Sequence, residues 1–431
     1  MYTLPEKFIA RMKTQLPPLE WEAFFAAYEN PPVKGVRLNP LKGDGYALKA
    51  LLPFLGEQIP WEQNGYYSAK EKLGASPFHS AGLFYSQEPS AMSAAPLLEV
   101  QKGERVLDLC SAPGGKGTQL ACAMQGEGII VLNEPVFSRA KILSQNIERM
   151  GVKNAVVTCE QPENLAAKFP SYFDKILVDA PCSGEGMFRK NADEALREWS
   201  EENVLLCAKR QKHILQSAVK MLKKGGKMVY STCTFSPQED EEITAWLVQN
   251  YPQMRLIKEE KLYPHKIKGE GHFVALFERT EGEEITPRTV KPRCGKEAER
   301  AYREFEKRFF HQPFAKNLHE VNGVLYDIPQ GVFAWEGLQA LRVGVRLGEV
   351  KNGRFAPNHS LALCVKKEEC KIALDLPQTD TRVEKYLRGE TVEGEIVDGW
   401  CVVCIEGYPL GLGKAVNGTV KNHLPKGLRK N

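Results

Sequence analysis

The chain has 431 residues, of which 42% are hydrophobic and 26% charged, and carries a net charge of +4. At roughly 150 residues per domain this length holds two to four domains, and the composition is that of an ordinary soluble globular protein rather than a disordered or fibrous one. No apolar run nears the roughly 18 residues that span a bilayer, and Met1-Tyr-Thr-Leu-Pro-Glu-Lys7 has no basic stretch leading into an apolar one, so neither a membrane span nor a secretory signal is read. Eleven scattered cysteines, an odd number, point to reduced thiols and a cytoplasmic protein rather than a disulfide framework. The mild positive charge permits a nucleic-acid partner without requiring one.

In chain order, residues 1 to about 75 read as a small α+β unit. Helical spacing is present at Phe8–Met12 and Trp21–Tyr28, separated by Pro17-Pro18 and stopped by Pro31-Pro32. A short strand and turn follow at Val36–Pro40, then a helix over 47–55. Arg37 and Asn39 could touch a phosphate, but a lone arginine on a strand is more often a surface residue. Residues 76–283 change character. Phe84–Met92 leads into a helix, and β and α patterns then alternate. Strands are expected at Arg105–Leu109, Gly128–Asn133, Ala155–Thr158, Lys175–Asp179, Lys227–Ser231 and Phe273–Glu278. Helices fit at about 116–125, 136–150, 160–168, 200–223 and 237–250, the long one closed by Gly225-Gly226. This alternation predicts an α/β, Rossmann-like, doubly wound and mainly parallel sheet. Residues 284–431 begin with a charged, proline-bearing linker and a helix near Glu297–Phe310, and continue as a strand-rich region. Its end, Lys414–Asn431, has five lysines or arginines and no acid, which suits phosphate contacts; a solvated, frayed terminus is the plainer alternative.

Two strand ends carry candidate chemistry. Ile176-Leu-Val-Asp179 runs into Ala-Pro-Cys182-Ser-Gly184, and Lys227–Ser231 runs into Thr-Cys233-Thr234. Ligands bind at the carboxyl ends of strands in such sheets. One cysteine there is usually structural, but two, beside Asp179, shift the reading to catalysis. Val106–Lys116 is a strand, a glycine turn and a helix start, where backbone N–H groups attract an anion. Glu134 ends the next strand, 20 residues past Gly114, a spacing that suits an acid on a ribose diol. There is no G-x-G-x-x-G and no Walker lysine-serine pair, so a nucleoside without pyrophosphate fits best, with S-adenosylmethionine the obvious candidate. Cys401 and Cys404 sit in an apolar strand with no partner pair at zinc spacing and are assigned to the core, and no metal site is expected. His79 and His213 read as hydrogen-bonded surface or interface residues.

Asp108-Leu-Cys-Ser-Ala-Pro-Gly-Gly-Lys116, Asp179-Ala-Pro-Cys-Ser-Gly184 and Ser231-Thr-Cys-Thr234 together resemble the motifs of the Sun-type RNA (cytosine-5)-methyltransferases. Gln87–Met92, Phe188-Arg-Lys190 and Gly271–Ala275 are similar to the same family. Gly348–Phe355, His359–Leu363 and Lys421–Arg429 resemble its RsmF branch, which acts on bacterial small-subunit ribosomal RNA and ends in a PUA-like RNA-binding domain, here expected at about 370–431. The resemblance implies that Cys110, Ser111, Ala112, Pro113, Gly114, Gly115 and Lys116 hold the methionine part of S-adenosyl-L-methionine. It implies Glu134 on the ribose with Arg139 nearby, Asp179 between cofactor and base, Cys233 as nucleophile and Cys182 in product release. Relatives often place an acid at the adenine, where this chain has Cys159-Glu160-Gln161, so that Glu160, Gln161 or neither makes that contact.

The inventory suits the reaction. Carbon 5 of cytosine is too poor a nucleophile to take a methyl group unaided, and a thiolate added at carbon 6 makes it one. The expectation is therefore a monomeric S-adenosylmethionine-dependent 16S ribosomal RNA cytosine-5 methyltransferase acting on the RNA or the small subunit. A transfer-RNA enzyme with the same core and a non-catalytic RNA-binding assembly factor are the rivals.

Overall fold

The computed structural model describes residues 3–430. Met1 and Tyr2, which begin the segment read as lacking a signal, and Asn431, which ends the acid-free tail, lie outside the described residues.

Its centre is an eight-stranded sheet. In chain order the strands are β1 (Arg105–Asp108), β2 (Ile129–Asn133), β3 (Ala155–Thr158), β4 (Phe173–Asp179), β5 (Leu222–Thr232), β6 (Met254–Leu262), β7 (His272–Arg279) and β8 (Ala340–Val343). Their spatial order is β6-β7-β5-β4-β1-β2-β3-β8. β1 to β5 run parallel, and β6, β7 and β8 pair antiparallel. Val106, Leu107, Val131, Ile176 and Val178 are wholly buried. Helices cover both faces of a parallel sheet, which is why these strands read as continuous apolar runs. Five helices matter here: α1 (Gly115–Met124), α2 (Phe137–Arg149), α3 (Pro162–Lys168), α4 (Glu201–Met221) and α5 (Glu241–Asn250). The strand order reverses at β1 and β4, so the crevice at their carboxyl ends is where a ligand belongs.

Four features differ from the sequence reading. Phe84–Gln87 is a strand antiparallel to Gly35–Leu38, completing a four-stranded N-terminal sheet beyond residue 75. No α-helix follows it: Glu88 accepts the N–H groups of Ser90 and Ala91, and two 3₁₀ turns follow, Ser90–Met92 and Ala95–Leu98. α4 ends at Met221 and β5 starts at Leu222, so Gly225 (φ 73°) and Gly226 lie inside the strand rather than closing the helix. β6 escaped notice because an edge strand tolerates its charged run Lys258-Glu-Glu-Lys261, and β8 because it comes from the C-terminal region.

Arg37 is the clearest correction. It is not a surface residue: it is 1% exposed and donates to Gln87 Oε1 (3.1 Å), Gly115 O (3.0 Å) and Thr118 Oγ1 (2.6 Å). Asn39, also buried, donates to Gly82 O and Met150 O (both 2.8 Å). Both residues fasten the N-terminal sheet to the catalytic core.

The C-terminal region holds helix Lys296–Phe309, a four-stranded sheet and a five-stranded sheet. The connector before that helix is pinned, with Val290 N donating to Val332 O (2.8 Å) and Phe333 packed on Phe169 at 4.5 Å. Cys401 and Cys404 are fully buried in the five-stranded sheet. Leu374, Leu376 and Leu410 share one core with Leu38, Leu48 and Phe78, so the strand-rich end packs on the N-terminal unit. The basic tail is ordered against it, Lys430 Nζ donating to Ala75 O (2.8 Å).

Candidate active site

Register brings the two cysteine loops together. β4 pairs with β5 so that Asp179 faces Ser231, and Ala180 N donates to Ser231 O (2.9 Å). Each strand then releases a loop into the same crevice, and Cys182 Sγ lies 3.2 Å from Cys233 Sγ. Both thiols are free and half-buried. Cys233 N donates to Cys182 Sγ (3.3 Å), and Gly186 N donates to Cys233 O (2.8 Å). Gly186 is required there, since a Cβ would stand 3.0 Å from that same carbonyl oxygen. The hydrogen bond shared with Cys233, together with burial, holds the Cys182 thiol well above the usual range, so Cys182 keeps its proton.

Asp179 is the carboxylate beside the pair. It accepts from Ser231 Oγ (2.8 Å), pairs with Lys116 Nζ (2.8 Å) and has His272 Nε2 at 3.8 Å. Burial alone would raise its pKa, but the Lys116 charge overcomes that and holds it below the ordinary value, so it is a carboxylate. His272 is pushed down to about 3 by burial and by Lys116, so its imidazole is neutral. Asp108, buried under the glycine turn and accepting from Ser111 Oγ (2.7 Å), is raised to about 7.

The crevice has a volume of about 530 Å³. Of the residues expected from sequence, Cys110, Ala112, Glu134, Arg139, Asp179, Cys182 and Cys233 line it. Ser111, Pro113, Gly114, Gly115 and Lys116 do not line it. Ser111 N donates to Asn133 O, Gly114 makes the turn at φ 109°, and Lys116 reaches Asp179. Burial pushes the Cys110 thiol up, consistent with a wall rather than a reactive group. Glu134, 2% exposed at the end of β2, accepts from Val136 N (3.0 Å) and pairs with Arg139 at 3.3 Å. Arg139 also donates to Ala112 O (3.2 Å), tying the glycine turn to the acid.

Glu160 and Gln161 turn in different directions. Glu160 accepts from Gln339 N (2.7 Å) and Asn164 Nδ2 (2.9 Å), facing β8, whereas Gln161 lines the crevice. Sequence reasoning missed the far wall: Leu206, Lys209, Arg210 and Ile214 of α4, and His213, which is exposed in the crevice. No motif marks them; the signal was a helix presenting Leu205 and Leu206, each 60% exposed, next to unpaired cations. Among the described residues no group of three or more His, Cys, Asp or Glu could hold a metal.

A sheet of this order, with a glycine turn after β1, an acid ending β2 and a crevice at the switch point, defines an S-adenosylmethionine-dependent methyltransferase. Four family models match in sequence along the chain: the N-terminal domain of 16S rRNA methyltransferase RsmF at 4–89, 16S rRNA methyltransferase RsmB/F at 95–282, the RsmF first C-terminal domain at 304–365 and the RsmF PUA domain at 373–430. The chain is 33% identical to ribosomal RNA small subunit methyltransferase F of Enterobacter sp. (strain 638), over 98% of this chain and 95% of that protein. It is 32% identical to the protein of that name from Vibrio cholerae, over 99% and 98%. The chain belongs to the 16S rRNA methyltransferase RsmB/F family. Among solved structures, a methyltransferase homolog protein from Pyrococcus horikoshii is 27% identical with a TM-score of 0.58, covering 64% of this chain and 96% of that one. NSun6 from the same organism, determined with SFG, shares the fold at 20% identity and a TM-score of 0.59, over 65% and 99%.

Proposed function

We infer that the protein forms 5-methylcytosine in 16S ribosomal RNA through a covalent bond between Cys233 and the base. The observation that carries this reading is the thiol pair, 3.2 Å apart, beside the ionised Asp179. S-adenosylmethionine supplies a sulfonium methyl group when bound. Glu134 suits its ribose hydroxyls, the turn from Cys110 to Lys116 its methionine part, and Gln161 its adenine, since the Glu160 carboxylate is already engaged.

The Cys233 thiolate adds to carbon 6 of an unstacked cytosine, and the ring electrons displaced toward carbon 5 take the methyl group. The Asp179 carboxylate accepts from the exocyclic amine and orients the base for that attack. The carbon-5 proton then leaves, the double bond re-forms and the Cys233 thiolate is expelled. Cys182, whose thiol keeps its own proton, serves that release through a water that takes the carbon-5 proton. Lys209 and Arg210 have no ion-pair partner among the described residues and suit the phosphates of the entering strand. The N-terminal unit and the PUA domain with its basic tail widen that RNA contact. We take the protein to act as a cytoplasmic monomer without a membrane partner; no described helix is long and apolar enough to cross a membrane. Bisulfite sequencing of 16S ribosomal RNA from a deletion strain tests the function. A cytosine protected in the parent and converted in the deletant is expected, and an unchanged 16S pattern would overturn it.

A further inference from the structure

Two buried carboxylates near the cysteines take no part in the chemistry above. Glu239 follows the Cys233 loop, and Glu185 follows the Cys182 loop. Glu239 is fully buried, and its Oε2 accepts from Ser183 N (3.0 Å) and Gln211 Nε2 (2.9 Å). Gln211, also fully buried, donates with the same nitrogen to Pro181 O (3.1 Å). The backbone on both sides of Cys182 is therefore held by one pair of side chains, from α4 and from the turn before α5. Glu185, 1% exposed, does the converse: its Oε2 accepts from Phe235 N (2.9 Å), just beyond Cys233, and its Oε1 from Trp199 Nε1 (3.0 Å).

We propose that Glu185 and Glu239 are reciprocal positioning residues, each fixing the other cysteine's loop: Glu239, with Gln211, sets Cys182 for product release, and Glu185 sets Cys233 for attack. Burying two carboxylates is costly unless their hydrogen bonds are made; three of the four oxygens accept across the loops or from a neighbouring helix, and Glu239 Oε1 has no partner among the described residues. Neither loop is an element of regular structure; the two carboxylates act alongside the direct ties between the loops, Ser183 Oγ with Thr234 Oγ1 (2.9 Å), Cys233 N to Cys182 Sγ and Gly186 N to Cys233 O. Burial raises Glu239 to about 7, which either protonation state of Oε2 can satisfy as an acceptor.

The inference rests on the proposed roles of the two cysteines, and its test separates the two failures. Full-length Glu239→Ala, Glu239→Gln, Gln211→Ala, Glu185→Ala and Cys182→Ala proteins are compared on 16S-derived RNA with S-adenosylmethionine, following adduct formation in a single turnover and adduct release. Glu239→Ala and Gln211→Ala should slow release by roughly 10- to 100-fold and accumulate a methylated enzyme–RNA adduct, with formation nearly unchanged. Glu185→Ala should slow formation by a similar factor and accumulate nothing. Glu239→Gln keeps an acceptor oxygen and should behave as the parent. If Cys182→Ala accumulates adduct but neither Glu239→Ala nor Gln211→Ala does, or if the glutamate variants slow both steps alike, the brace is wrong. If Cys182→Ala itself releases normally, the assignment of the cysteines fails instead. Should a glutamate variant not fold, Gln211→Ala decides the Cys182 side alone.

Discussion

Replacing Arg37 with methionine tests how the N-terminal unit is joined to the catalytic core. The guanidinium is buried and meets four neutral acceptors, Gln87 Oε1, Gly115 O, Thr118 Oγ1 and, more weakly, Cys122 Sγ at 3.7 Å. Thr118 keeps a role without it, since its hydroxyl also donates to Gly114 O (2.7 Å). Gln87 Oε1 would be left unpaired, at about 1–3 kcal/mol, while Gly115 O keeps Thr118 Oγ1 (3.0 Å); the charge-assisted bonds lost with the guanidinium add to this, offset in part because a buried cation no longer has to be desolvated. The net cost should be about 3 kcal/mol. At about 2.1 cal/mol/K per residue, a chain of 431 residues melting as one unit has an unfolding entropy near 0.9 kcal/mol/K, so Tm should fall by about 3 °C. Scanning calorimetry of the full-length protein measures this. A surface arginine would change stability by less than about 0.5 kcal/mol, so a Tm shift well under 1 °C would refute the reasoning.

Three further outcomes are expected. Cys182→Ala should form the bond to RNA but release it slowly, giving a shifted band on a denaturing gel with ordinary cytosine substrate; the double variant with Cys233→Ala should give none, and the reverse pattern would exchange the two roles. Replacing the exposed Lys421 and Lys426 of the tail with alanine should lower the slope of log affinity against log salt by about 1.4, at about 0.7 for each phosphate no longer neutralised, and an unchanged slope would remove the tail from the RNA interface. Burial, with Lys42 nearby, holds His359 down to about 4 against an ordinary 6.5. The unfolded chain then binds the extra proton, so this contribution is intact above pH 6.5 and is lost as pH falls toward 4. Between pH 7 and pH 5 the parent should lose about 2 kcal/mol more than His359→Asn in urea unfolding, and identical pH dependences would contradict it.

The catalytic loops were legible because each is an apolar strand followed at once by turn residues, a pattern that fixes both the strand and the edge it ends on. Asp179, Cys182, Cys233 and Glu134 stand where that logic put them in the chain, and their meeting depends on the strand order, in which β4 pairs with β5 and with β1. What could not be read depends on distant partners. Nothing local tells that Arg37 would find Gln87 and Thr118, or that Ala340–Val343 would cap the sheet beside β3. The α4 wall was missed for a different reason: Leu206, Lys209, Arg210 and His213 follow one another at helical spacing, and a helix face lining a crevice has the same pattern as one facing solvent. Glu160 was ambiguous because only the bond from Gln339, far along the chain, turns it away from the crevice.

The central claim is that Cys233, and not its neighbour 3.2 Å away, bonds to the base. With 5-fluorocytosine in the target RNA, the fluorine at carbon 5 cannot leave as the proton does, so the covalent intermediate persists. Proteolysis of that complex and mass spectrometry of the RNA-linked peptide identify the sulfur directly. Attachment at Cys233, and none in Cys233→Ala, is the expected result; a link at Cys182 in the unmodified protein would contradict it.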